Sequence, residues 1–161
     1  FTTFTNKDVV GTEFGGILKN LIAVAIGIVN GVGYGQNTKA SIMTRGLAEI
    51  SRFAEAYGAR RETMKGLAGL GDLIATAESP LSRNHKAGEM LGKGYRLNEV
   101  IKRLSQTAEG LSSIAPILSL AEAKGIRMPI VEQVHLVMQG KMSPRDIAPH
   151  LTHESDEPQG E

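Results

Sequence analysis

A lysine set in an apolar run is the first residue in this sequence that could do chemistry. In ILKNLIAVAIGIV, residues 17–29, only Lys19, Asn20 and Gly27 interrupt the hydrophobic side chains. A charge is rarely buried in such a setting without a partner. Lys19 therefore has two readings: its stem packs while its amine reaches solvent, or its ammonium donates a proton or meets an anion. Asn20 beside it offers a donor and an acceptor. A second constellation lies in GLAGLGDLIATAESPLSRNHKAG, residues 66–88, where Asp72 follows a glycine cluster, Thr76 comes one helical turn later, and Ser82, Arg83 and Asn84 follow a proline. Taken singly, these are helix caps, turn residues and a back-bonded threonine. Taken together they could hold a phosphoester. Arg83 would supply a bidentate fork, Asn84 and the N–H groups of a helix start would add donors, and Asp72 would orient an amine or a hydroxyl. Spacing by itself leaves both readings open.

Other features carry less. NGVGYG has the spacing G-x-G-x-G and follows a helical pattern with no strand before it, so it reads as a helix-breaking loop rather than a dinucleotide fingerprint. GLAGLG fails the same test, because its surroundings are helical and an Asp follows. His85, His135, His150 and His153 lack metal-ligand spacing, and no metal site is expected. With no cysteine there is no disulfide framework, thiolate nucleophile or Cys-ligated metal.

The elements that must position these residues are helical. Residues 17–29 read as a buried central helix, too short and too polar for a membrane span. Asn37 or Thr38 is expected to cap the next helix, which carries Ile42, Leu47, Ile50, Phe53 and Tyr57 and stops at Gly58. RRETMKGLAGLGDLIAT forms another periodic segment, and Ser82 caps a turn that ends near Gly94. Asn98 and Glu109 open further helices, Pro116 should kink or divide its helix, and Ile130, Val134, Val137 and Met138 form a helical stripe. Ser143-Pro144-Arg145-Asp146 starts a short last helix, and residues 152–161 are a polar tail expected to fray. Only the first dozen residues look extended. The expectation is one all-α, helical bundle-like domain over residues 1–161, with a short extended segment at its N-terminus. The start FTTFTNKDVVGTE has no initiator Met and no signal-peptide pattern, and reads as a cut from a larger protein. Lys and Arg number 18 against 17 acids, a net charge of +1 that argues against nucleic acid or an anionic membrane as partner.

Three blocks in order, VGTEFGGILKNLIAVAIGIVNGVGYGQNTKASIMTRGLAEI, GLAGLGDLIATAESPLSRN and TAEG, resemble the C-terminal domain of bacterial-type NAD(P)-dependent glycerol-3-phosphate dehydrogenases over most of the chain. The resemblance implies reduction of dihydroxyacetone phosphate to sn-glycerol 3-phosphate, for phospholipid precursors, by a cytoplasmic enzyme whose N-terminal Rossmann domain binds most of an NAD or NADP cofactor. By position it implies that Lys19 is the proton donor and acceptor, that Asp72 and Thr76 position the substrate and the lysine, and that Asn20 is a polar neighbour of the substrate. It further implies that Ser82, Arg83 and Asn84 bind the phosphate, with Arg83, Thr107 and Glu109 touching the cofactor. A homodimer is implied by the family alone. Ala77 departs from the pattern, standing where many members carry Cys. The readings kept beside this one are a non-catalytic helical ligand-binding or oligomerisation module, and a related hydroxyacid dehydrogenase domain; the Ser-Arg-Asn triplet argues against the latter.

Overall fold

Asp8 decides where the first helix begins. Its carboxylate accepts the N–H of Gly11 at 2.9 Å and, from a distant part of the chain, the N–H of Arg60 at 2.7 Å. These bonds hold the Asp8 carboxyl below its ordinary pKa. The computed structural model of the chain describes residues 5–79, 81–104 and 108–147. α1 runs Val9–Val32, so residues 9–12 are its opening turn and not part of an extended segment. The Asp8 cap outweighs the strand preference of the paired valines, which both stay exposed; residues 1–4 lie outside the described residues. Among the described residues the fold is entirely helical.

α1 is the axis of the fold. Leu18, Leu21, Ile22, Ile26 and Ile28 are fully enclosed, covered by α2 (Gln36–Ala56), α4 (Asp72–Glu78), α5 (Arg83–Gly92), α7 (Glu109–Ala123) and α8 (Pro129–Met138). Whole α1 is longer than residues 17–29 suggest. At mean hydropathy 1.6 it has the length and composition to cross a membrane, yet 61% of that window is buried inside the fold. Gly33, at φ 95°, ends the helix in the left-handed region that favours glycine. α2 then returns antiparallel, with Gly46 against Ile22 and the rings of Phe53 and Tyr57 centred 5.4 and 5.7 Å from that of Phe14. Its cap is Gly35, which places Asn37 and Thr38 inside the first turn. Gly58 closes it, as the sequence predicts.

The periodic segment 60–76 is not one helix. It divides into α3 (Arg61–Lys65), a π-helical turn (Leu67–Gly71) and α4, because a run of glycines cannot sustain regular helix against tertiary contacts. Ser82 caps α5 as expected. α6 (Leu97–Arg103) opens at Arg96, earlier than Asn98, where the Glu99 carboxylate accepts the Arg96 N–H at 2.7 Å. α7 runs unbroken through Pro116, whose exposed face leaves the freed Ser112 carbonyl at solvent. α8 buries Ile130, Val131, Val134 and Val137, with Met138 half-buried. Ser143 caps a final 3₁₀ turn, Pro144–Asp146.

Candidate active site

The lysine meets its partner because two backbones can touch. A Cβ added at Gly15 would lie 2.3 Å from the Ala68 carbonyl oxygen, and one at Gly69 would lie 2.0 Å from that of Met64. Glycine at these places lets the π-turn fold tightly and lie against α1. Its wide loop is closed by the Gly71 N–H donating to the Gly66 carbonyl at 3.1 Å, the extra-residue geometry that re-aims a side chain. Four residues past each contact partner, at Lys19 and Asp72, the side chains converge. The Lys19 ammonium donates to Asp72 Oδ2. Their side chains are 19% and 41% exposed, so the pair sits at the edge of the core and still faces the outside. One ammonium N–H is spent on Asp72; the ammonium carries three. Thr76, half-buried, follows Asp72 by one turn of α4 and shares its face. Asn20 donates through Nδ2 to the Gly16 carbonyl at 3.2 Å.

α5 is brought to the same level by a second close approach. A Cβ at Gly88 would lie 2.1 Å from the Val24 carbonyl oxygen, one at Gly27 2.2 Å from that of His85, and the Gly31 and Gly92 positions repeat the pattern one turn on. Side-chain-free seams at i, i+4 spacing on both helices let their backbones pack, and α5 runs parallel to α1. Asn84, four residues before Gly88, is thereby level with Asn20. The start of α5 is well formed: Ser82 Oγ accepts the His85 N–H at 3.2 Å, and Arg83 is the first helical residue and exposed. Burial pushes the His85 imidazole below its ordinary pKa. A helix start of this kind favours an anion through its unsatisfied N–H groups and dipole.

Asn84 is used differently from its two neighbours. It is 9% exposed, and its Oδ1 accepts the buried N–H of Gly110 at 2.9 Å. Gly110 is the second residue of α7, directly after the exposed Glu109. Thr107 lies outside the described residues. Thus Lys19 and Asp72 are in contact, Thr76 shares the Asp72 face of α4, and Asn20 and Asn84 both border Gly110. Arg83 and Glu109 head two helices that are tied together at their starts. The structural roles of Gly15 and Gly110 were not drawn from the sequence, although FGGILK and TAEG contain both; a glycine within a helical pattern is the signal of a close approach.

A domain that is all-helical among the described residues, with a lysine–aspartate pair and a capped helix start, is of the class that forms the helical C-terminal part of glycerol-3-phosphate dehydrogenases, as the comparisons show. In solved structures the chain is similar to the glycerol-3-phosphate dehydrogenase of Coxiella burnetii, with a TM-score of 0.90 at 36% identity over 94% of this chain and 46% of that one. Residues 8–149 match the family model for the C-terminus of NAD-dependent glycerol-3-phosphate dehydrogenase, and the chain belongs to that family. Relatives named glycerol-3-phosphate dehydrogenase (NAD(P)+) include those of Leifsonia xyli, 68% identical over 100% of this chain and 43% of the relative, and of Thermobifida fusca, 52% identical over 91% and 44%. The chain spans less than half the length of these relatives.

Proposed function

We propose that this chain is the substrate-binding and catalytic half of an oxidoreductase that interconverts dihydroxyacetone phosphate and sn-glycerol 3-phosphate with NAD(P)H, supplying glycerol phosphate for lipid synthesis. The contact between Lys19 and Asp72 is the observation that carries the reading. A half-buried ammonium held by a carboxylate at the rim of the core is a poor stabilising device and a good proton donor for a carbonyl oxygen. Four large apolar side chains, Ile17, Leu67, Ile74 and Leu81, stay exposed on the elements that carry the site. They suit a face covered by a second domain.

The nicotinamide, when bound, supplies the hydride that reaches the substrate carbon. Arg83 and Glu109 fit the near edge of such a cofactor, a guanidinium for phosphate and a carboxylate for a hydroxyl, both exposed at helix starts. Lys19 gives its proton to the ketone oxygen as negative charge develops there, so that C=O becomes CH–OH, and the amine regains a proton from solvent. Asp72 holds the ammonium in line throughout. Ser82 and Arg83, at the start of α5, grip the phosphate and fix the distance from carbonyl to lysine. In the full-length enzyme Lys19→Met keeps the stem and removes the proton, and should lower kcat by ~10²–10⁴ with little change in KM. Activity within about threefold of wild type would remove Lys19 from the role.

A further inference from the structure

Gly110 stands where three helices meet. Its N–H is held by Asn84 Oδ1 of α5 at 2.9 Å, and a Cβ placed on it would lie 2.8 Å from that same oxygen and 2.9 Å from the Asn20 carbonyl of α1. No side chain other than hydrogen fits, and the contact is buried. On one side of this junction sits Arg83, the neighbour of Asn84; on the other sits Glu109, the neighbour of Gly110. A helix start has N–H groups with no partner inside the helix. That of Gly110 is satisfied by a side chain of another helix, 26 residues away in sequence, and not by a cap of its own, since Ala108 precedes α7 without a side-chain hydrogen bond.

We propose that Asn84 is a positioning residue, which by holding the Gly110 N–H locks the substrate-side start of α5 to the cofactor-side start of α7. The proposal rests on the assignment of Ser82 and Arg83 to the substrate phosphate and of Glu109 to the cofactor. With Oδ1 spent on the latch, Asn84 turns only its Nδ2 donor toward the phosphate, so one amide serves two tasks. Loss of the latch lets α7 shift against α5, and the effect reaches the cofactor even though Asn84 lies on the substrate side. The buried interaction is of a kind whose loss changes an equilibrium by roughly tenfold.

The test is direct binding of NADH and NADPH to the full-length enzyme, followed by nicotinamide fluorescence, together with KM for dihydroxyacetone phosphate. Asn84→Ala removes the acceptor without adding atoms, and Gly110→Ala wedges the junction while leaving the amide intact. Both should weaken binding of the preferred cofactor about tenfold and raise the substrate KM by a similar factor. Asn84→Asp, whose carboxylate reaches the same N–H, should keep cofactor binding within about threefold while still raising substrate KM, because it meets the phosphate with like charge. If Gly110→Ala does not fold, Asn84→Ala decides the matter alone. Unchanged cofactor binding in Asn84→Ala, or an Asn84→Asp as damaged as Asn84→Ala, would overturn the proposal. Cofactor binding needs no turnover, so failure of the Lys19→Met experiment leaves this result readable.

Discussion

Arg83 sits where an arriving phosphate would first meet charge, exposed at the head of α5 with the helix N–H groups behind it. Charge-assisted hydrogen bonds of this sort are worth roughly 1.5–3 kcal/mol, so Arg83→Ala in the full-length enzyme should cost about tenfold to 150-fold in kcat/KM for dihydroxyacetone phosphate. Arg83→Lys should recover part of that loss, since a point charge lacks the planar fork. Dihydroxyacetone without its phosphate is the discriminating substrate: wild type and Arg83→Ala should be much closer on it. Equal losses on both substrates would assign Arg83 to the cofactor or the fold. Asp72 differs from Arg83 in that its carboxylate accepts the Lys19 ammonium directly.

At the level of elements, α8 is capped from outside itself. Glu49 of α2 is 1% exposed, and its two carboxylate oxygens accept the N–H groups of Ile130 and Val131 at 2.9 and 3.0 Å. Burial drives its pKa up to about 7 against the pull of those two bonds. The folded state therefore keeps a proton that the unfolded chain releases near its ordinary value of 4.5. Stability from this group is full below that value and is lost as pH rises toward 7, by about 3 kcal/mol in all. Urea unfolding of wild type at pH 5 and pH 8 should show the fall, and Glu49→Gln should flatten it. At pH 5 the variant should lie close to wild type, because the protonated carboxyl and the amide each present a carbonyl acceptor and a donor. A full pH slope retained in Glu49→Gln would assign the titration to another group.

For the molecule as a whole, the chain carries the proposed proton donor and the proposed phosphate residues but, among the described residues, no parallel sheet with a glycine-rich turn to cradle a dinucleotide. The purified 161-residue chain should fold yet give no turnover of dihydroxyacetone phosphate with NADH or NADPH, because the hydride donor is not held over the substrate. Measurable oxidation of either cofactor, absent from the Lys19→Met control, would refute this.

What the sequence determined by itself was local. Helical periodicity marked α1, α2, α7 and α8; Ser82 and Ser143 were legible as caps and Gly58 as a stop, since each acts within a few residues of itself. Lys19, Asp72 and residues 82–84 stood out by type and by their resemblance to a family, and the contact of the first two is a feature of the fold. Local signals also misled: the paired valines after Asp8 look like a strand until Arg60 and Gly11 engage its carboxylate, and residues 60–76 look like one helix until Gly15 admits the π-turn. Only the tertiary structure decided that Glu49 caps α8, that Gly88 lies on Gly27, and that Asn84 holds Gly110. Each is a backbone group satisfied, or a backbone approached, by residues 26 or more positions away. A hydrogen bond or a missing Cβ carries no mark of its partner in the one-dimensional order, because the partner is chosen by packing of the whole core around α1.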